Sequence, residues 1–558
     1  MTQQAKTTKS GMRRCLFLHI LSTLLNLHFS SATWASVHGD DSAKSHHKAT
    51  ETAWGRATQN APNILLIIAD DLNLRLGCYG EPIARTPSLD QLAQESVLFT
   101  KAYAASTVCT PSRKSILTGL AIHKVGANNE DFMEKHPDTM TMPRWFREHG
   151  YQTVRLGKIE HGPEYAGPKD WDLSLTTNVP RRGKGKNYVD SQGQTLGNAI
   201  AYPDDSFTHD QLRANKFKEF VEQKRDKDRP FFFALGFHSP HIPWESQARH
   251  KAMFPLDQLP LPLAPKGATP MTKPPEYQKK MLAELHHPLP GQEGNPWTGD
   301  NPKDYNLLVP EQTQREMIRE YYAAVAMMDE ALGHIMATLK AQGLDKNTIV
   351  VFTSDQGYFL GYRGIWRKHY LYPEVLNVPL MVRYPGLQHA GANAAGIVEL
   401  LDLFPTLSDL AGITPPEDID GKSFVPQLQN PQAPGKKAAY AQGIMYGGRA
   451  VITNEALYLN WVEGPAVVRA AGGMVQGKSL AALDHIIDLT RLKDSVTIRL
   501  DGHQRWIDIV GHLEASREFY KISQDPQAWF DVSSDLENQS EIARHELLEQ
   551  NYFPVSGK

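Results

Sequence analysis

The chain has 558 residues, 41% of them hydrophobic and 22% charged, proportions that suit a large globular enzyme with room for a subordinate domain. Lys+Arg total 59 against Asp+Glu 62, a net charge of −3, so the basic excess of a general nucleic-acid binder is missing. Three cysteines exclude a disulfide scaffold.

Lys6, Lys9, Arg13 and Arg14 precede a mostly apolar run from Cys15 to Phe29, and small residues follow, ending in Ala32 and Ala35. That order predicts a secretory signal peptide over residues 1–35. The run is short for a membrane span. The mature chain is therefore expected to be exported, periplasmic or secreted, without stable membrane association. A lysosomal-type lumen is the less favoured compartment. Residues 36–60 are polar, carry no periodic apolar face and read as a solvated linker.

Ile64 to Ala69 is a continuous apolar run, the pattern of a strand buried on both faces. Thr86 followed by Pro87 predicts a helix start, with Leu89, Leu92 and Ala93 as its apolar face. Ser112 to Leu120 predicts a helix beginning just after Cys109. Tyr151 to Leu156 and Phe231 to Leu235 predict strands. Met317, Ile318, Tyr321, Tyr322, Val325, Met328, Leu332, Ile335 and Leu339 keep helical spacing, and Gly343 is the stop. Thr348 to Thr353 and Leu380 to Tyr384 are further strands. This alternation predicts an α/β fold with a mostly parallel sheet flanked by helices. Around 260–310 prolines cluster and periodicity disappears, as in a long excursion that shapes a binding site. Ala450 to Thr453 and Ala456 to Val462 read as a meander in a smaller C-terminal α+β subdomain. The expected division is a catalytic domain over 61–428 and this subdomain over 429–558.

In open α/β sheets, sites form beyond the carboxyl ends of the strands. There the sequence places Asp70-Asp71, Gly157-Lys158-Ile159-Glu160-His161, His238-Ser239-Pro240-His241 and Ser354-Asp355-Gln356-Gly357. Four strand ends bearing acids, amides, histidines and lysines point to one site. Asp70, Asp71, Asp355 and Gln356 offer oxygen, which suits a hard divalent cation, Ca2+ or Mg2+. Adjacent carboxylates at the end of a buried strand would repel without one. Cys109, near a helix start, is either a thiolate nucleophile or a buried structural cysteine. Cys78 is expected to be buried and structural.

Cys109-Thr110-Pro111-Ser112-Arg113 with Leu117-Thr118-Gly119 resembles the motif of the formylglycine-dependent sulfatase family. Asn63 to Asp71, Gly77-Cys78-Tyr79-Gly80, Gly157-Lys158 with His161, Pro240-His241 and Thr353 to Gly357 follow in family order, as do Leu360, Gly361, Gly364, Trp366 and Lys368. The nearest subgroup is iduronate-2-sulfatase-like. The resemblance spans about residues 62 to 425, with a weaker echo at Phe519-Tyr520 and Asp525-Pro526. It implies an alkaline-phosphatase-like core with a smaller C-terminal sheet domain. It implies that Cys109 is oxidised to Cα-formylglycine by a formylglycine-generating, sulfatase-maturing enzyme. It also implies Ca2+ rather than Mg2+, held by Asp70, Asp71, Asp355, Gln356 and the side chain at 109.

The same resemblance implies residue roles. One hydroxyl of the formylglycine hydrate attacks sulfur and the other later expels sulfate. Arg113 orients those hydroxyls, and Lys158 and Lys368 neutralise sulfate oxygens. His161 takes a proton from the diol, and His241 protonates the leaving alcohol. His238 is either a support or a substrate contact. Arg363 meets an acidic sugar or solvent. Two positions depart from the family pattern: Leu120 stands where arginine is usual, and Gln356 where the nearest subgroup often has histidine. The expected activity is removal of O-sulfate from a sulfated oligo- or polysaccharide, a glycosaminoglycan on the subgroup resemblance alone. Algal polysaccharide sulfates, a phosphate or phosphonate ester on the same core, and non-catalytic binding of sulfated glycans are the alternatives. The Cys109 motif and a lysine-rich anion pocket favour sulfate hydrolysis.

Overall fold

The computed structural model describes residues 61–126, 132–160, 169–177, 186–189, 195–202, 204, 207–262, 265, 311–362, 366–443, 448–461, 464–471, 497–500, 506–513 and 516–553. The expected signal segment, the linker and nearly all of the 260–310 excursion lie outside them. Eight strands build the main sheet: β1 (Asn63–Ala69), β2 (Val97–Phe99), β3 (Gln152–Gly157), β4 (Leu173–Leu175), β5 (Phe231–Gly236), β6 (Thr348–Ser354), β7 (Leu380–Arg383) and β8 (Asn393–Ala394). Their spatial order is β8-β2-β7-β6-β1-β5-β3-β4. The run β6-β1-β5-β3-β4 is parallel throughout, and β7 is antiparallel to both β6 and β2.

The unbroken apolar run of β1 follows from its central place, because both of its faces meet helices. Leu65, Ile67 and Ala69 enter one core, and Ile64, Leu66 and Ile68 enter the other. The first core takes α1 (Pro87–Gln94), α3 (His209–Glu219) and the 31-residue α4 (Glu311–Ala341). The second takes α2 (Cys109–Thr118) and α5 (Leu403–Leu410). Gly343, at φ 67°, follows α4 as expected of a helix stop. No helix among the described residues is long and apolar enough to cross a membrane.

One boundary differs from the expectation, and one cap is made otherwise than expected. Helix α2 begins at Cys109 itself, so Cys109 is its first residue rather than its forerunner. At α1, Thr86 stands at the N-cap, yet its hydroxyl does not cap. It accepts the Gly77 N–H at 3.0 Å and donates to Asp90 at 3.2 Å. The first-turn amides of Ser88 and Leu89 donate instead to the two carboxylate oxygens of Asp329 on α4, at 2.9 and 2.7 Å. Cys78 is half-buried and packs at the margin of the first core.

Beyond the core, β9 (Ala439–Gln442), β10 (Gly448–Ile452), β11 (Leu457–Trp461) and β12 (Ser516–Tyr520) form an antiparallel sheet, joined by α6 (Gln539–Tyr552). Ala450, Leu459, Trp461 and Tyr520 from this sheet share one buried cluster with Phe359, Tyr370, Leu371 and Tyr372, the residues around Lys368. Glu518 ties the two together. Its carboxylate accepts from the hydroxyls of Tyr372 and Tyr520 at 2.8 and 2.7 Å and from the Trp461 indole at 2.9 Å.

Because Asp329 supplies the only side-chain cap that α1 has among the described residues, Asp329→Ala is expected to lower global stability by about 1–2 kcal/mol. Urea unfolding checks this, and an unchanged midpoint would contradict the assignment.

Candidate active site

The carboxyl ends of β6, β1, β5 and β3 lie side by side, so the four chemistry-bearing segments meet on one rim. Ala69 is paired with Ser354 across β1 and β6, which makes Asp70 and Asp355 neighbours. Beyond the strand, β1 turns sharply: Asp71 has φ 66°, a left-handed conformation costly for a residue with a Cβ. Three contacts hold it there. Its N–H donates to Asp355 Oδ1 at 3.2 Å, its carbonyl accepts from the Tyr321 hydroxyl at 2.9 Å, and the next residue's N–H donates to Ser354 Oγ at 2.9 Å.

Helix α2 presents Cys109, Ser112 and Arg113 on one face, the i, i+3, i+4 spacing that lines up side chains on a helix. Ser112 Oγ donates to the Asp355 carbonyl at 2.5 Å. Arg113, 1% exposed, donates from Nε to Asp355 Oδ2 at 2.7 Å and lies 3.7 Å from Asp70 Oδ1. Its Nη1 donates to the Lys158 carbonyl. The sulfur of Cys109 and the carboxylates of Asp70 and Asp355 place their ligating atoms within 4.8 Å of one another.

Lys158 Nζ lies 2.5 Å from Asp70 Oδ2, and Lys368 Nζ lies 2.5 Å from Asp71 Oδ1. The Lys158 backbone fits only because glycine stands on both sides of it. A Cβ on Gly236 would lie 1.9 Å from the Lys158 carbonyl oxygen, and one on Gly157 would lie 2.2 Å from the Gly236 oxygen. Lys368 returns to the rim on a short hairpin, Phe359–Leu360 against Trp366–Arg367. His241 Nε2 is 3.9 Å from Asp71 Oδ2, and the His238 ring lies 5.4 Å from that of His241. His161 and Arg363 lie outside the described residues.

Three carboxylates thus face three cations in a nearly water-free setting. Burial would raise Asp70, yet Lys158, His241, Arg113 and Lys368 hold it well below the ordinary carboxylate range. For Asp355 burial prevails over Arg113 and lifts it to about 6. Burial also pushes the Cys109 thiol up, against the pull of Lys158 and Lys368. His238 is pushed down to about 4, first by burial and then by His241.

The oxygens that have no hydrogen-bond donor show what the site can hold. Asp70 Oδ1, Asp71 Oδ2 and Gln356 Oε1 are all buried and accept no hydrogen bond. The Gln356 amide nitrogen donates to Asp71 Oδ1, which leaves its oxygen turned elsewhere. A buried oxygen left so costs about 1–3 kcal/mol. Hard oxygen donors, negative charge and unmet acceptors together fit a hard divalent cation.

Sequence reasoning quotes Ser112 and Ser354 only as members of their motifs, without a role, and misses Tyr321 altogether as part of the site. Tyr321 shows in the sequence only as one more apolar position of α4. Its hydroxyl bridges the Asp71 carbonyl and the Asn73 N–H.

The sequence pattern of the family described as Sulfatase matches residues 62–413. The iduronate 2-sulfatase of Mus musculus is 31% identical over 428 residues, which cover 67% of this chain and 73% of that protein. The N-acetylglucosamine-6-O-sulfatase of Bacteroides thetaiotaomicron is 30% identical over 423 residues, covering 68% and 73%. A solved structure of a protein in complex with its substrate D-glucosamine-2-N,6-O-disulfate matches with a TM-score of 0.60 at 22% identity, over 88% of this chain and 98% of that one. That likeness bears on the fold, and the mostly parallel sheet with a small antiparallel C-terminal sheet agrees with it.

Behind α2, Glu160 lines a small cavity with Thr110, Lys114 and Thr141. Burial, opposed by Arg155, raises its carboxyl from 4.5 to about 7. A carboxyl whose folded pKa exceeds its unfolded value stabilises most below the unfolded pKa and loses that contribution as pH rises through the folded one. Glu160→Gln is therefore expected to raise stability by about 1–3 kcal/mol at pH 8 and to change it little at pH 4. Chemical denaturation at both pH values checks this, and equal effects at both would contradict it.

Proposed function

The chain belongs to the sulfatase family of sulfuric ester hydrolases, and from that premise we propose that it removes O-sulfate from a sulfated carbohydrate, a glycosaminoglycan or a fragment of one. The proposal includes conversion of Cys109 to Cα-formylglycine by a maturing enzyme, a Ca2+ ion, and export to the periplasm or beyond on the signal formed by residues 1–35. One observation carries it: Cys109 heads α2 within reach of Asp70 and Asp355, on a rim where three buried oxygens accept no hydrogen bond and two lysines pair with Asp70 and Asp71. The two sulfatases named above support a sugar sulfate as the substrate, since both are named for one.

Asp70, Asp71, Asp355 and Gln356, with the side chain at 109, would hold the cation. When bound, it supplies Lewis acidity, which lowers the pKa of a hydroxyl and draws charge from a sulfate oxygen. The formylglycine hydrate supplies two hydroxyls, one for attack and one for release.

The remaining work falls to the chain's own side chains. Arg113, locked to Asp355 and to the Lys158 carbonyl, fixes the first turn of α2 and thereby the side chain at 109. Lys158 and Lys368 neutralise the sulfate oxygens as charge builds on them. His241 Nδ1 is bonded to the Ile242 carbonyl, which can only accept, so Nδ1 carries a hydrogen and Nε2 is the atom left for proton transfer. Burial lowers the His241 pKa against the pull of Asp70 and Asp71. Once protonated, such an imidazole readily gives its proton to the leaving alcohol oxygen. His161 keeps the role of base that the resemblance implies, and Arg363 stays open between an acidic-sugar contact and solvent.

The test begins with peptide masses across residues 109–113 from protein produced with and without a sulfatase-maturing enzyme. Sulfate release is then measured on glycosaminoglycan and algal oligosaccharides. The expected result is an aldehyde at 109 only with the maturing enzyme, and Ca2+-dependent sulfate release that a chelator abolishes. Lys158→Ala and Lys368→Ala are each expected to lower kcat/KM by about 10²–10³-fold, the scale of losing one oxyanion-stabilising group. Unmodified cysteine in both preparations with no sulfate release would overturn the proposal.

A further inference from the structure

Helix α3 contributes no residue to the reaction as derived above, yet its first turn lies against two of the four rim segments. Asp210, the second residue of α3, is completely buried. Its Oδ1 accepts the His238 N–H and its Oδ2 accepts the Ser239 N–H, each at 2.9 Å. These are the backbone amides of the segment that ends in His241. Oδ1 also pairs with Arg213, one turn further along α3.

Arg213 continues the connection to a second segment. Its Nε lies 2.6 Å from where a Cβ on Gly157 would stand, so its side chain fills the space beside the turn that leads into Lys158. The helix does not need Asp210 for its own end. Thr208 and Gln211 close the α3 N-terminus, with Gln211 Oε1 accepting the Thr208 N–H at 3.0 Å. The Asp210 carboxylate is thus spent on the histidine segment. Burial would raise it, but Arg213 and the His238 and Ser239 groups hold it below the ordinary range.

We infer that Asp210, braced by Arg213, is a positioning residue that sets His241 and Lys158 relative to each other, a role that rests on the sulfatase reading above. Both ends of sulfate transfer depend on that spacing, because Lys158 meets the sulfate and His241 meets the leaving oxygen. An asparagine at 210 keeps one carbonyl acceptor but turns an NH2 group toward a backbone N–H, so one of the two amides loses its partner.

The experiment uses matured full-length enzyme with formylglycine content measured for each variant. Asp210→Asn and Arg213→Lys are each expected to lower kcat by about 10–100-fold, the scale of a misplaced reacting group, with KM changed less than about threefold. The double variant is expected to fall no further than the worse single variant. In parallel, amide exchange at His238 and Ser239 is followed in unmatured protein, which needs no activity. Asp210→Asn is expected to speed exchange at one or both amides by at least about tenfold, the factor for a lost charge-assisted hydrogen bond. Wild-type kcat in both folded single variants, or unchanged exchange at both amides, would overturn the inference. A wild-type enzyme inactive on every sulfate ester would instead overturn the sulfatase reading, and the exchange data would still decide whether Asp210 holds the segment.

Discussion

Three carboxylates with almost no access to water set the terms for everything around them. Removing each from water costs several kcal/mol unless charge and hydrogen bonds answer it. Asp70, Asp71 and Asp355 are answered by Arg113 from α2, Lys158 from the turn after β3 and Lys368 from the hairpin after β6. Each cation comes from a different part of the chain, so the cluster closes only when the sheet is in register and α2 has docked. The glycines at 157 and 236, the left-handed turn at Asp71 and the Tyr321 hydroxyl all serve that closure.

The pairing also suits an anionic substrate. In the structure the two lysines bond the same carboxylates that are proposed to hold the cation. A carboxylate shared with a divalent ion is a weaker partner for an ammonium group, so on the proposed reading the lysines would be the side chains most easily transferred to sulfate oxygens.

Much of this was legible in the sequence. The apolar run before Asp70-Asp71 marks a doubly buried strand, and acids, amides and lysines after several such runs mark a rim. The residues that escaped notice are those whose partners lie far off in sequence. Asp329 looks like a polar position on an amphipathic helix, and only the fold shows that it caps a helix 240 residues earlier. Asp210 looks like an ordinary acid in a helix's first turn, where a carboxylate already has a local reason to be. The start of α2 was misjudged because Thr-Pro-Ser reads as a helix boundary at the serine. Proline is tolerated within the first turn, so the helix begins two residues before it. Nor does a short apolar strand such as β7 encode its direction, which its long connections decide.

Cys109, the first residue of α2, is 5% exposed and shares a helix face with the fully buried Arg113. A modifying enzyme must draw its target residue into its own active site, and the folded chain does not offer this one. On the reading proposed above, conversion of the cysteine therefore belongs to the period before α2 settles on the sheet. The order of synthesis supplies such a period. β1 takes β6 as one of its two neighbours, and β6 does not begin until Thr348. For well over two hundred residues of elongation the cysteine has emerged while the sheet that will cover it remains unfinished. On that reading, the same burial that gives the site its dry electrostatics would make conversion of the cysteine a matter of timing, in which folding too quickly would forfeit activity.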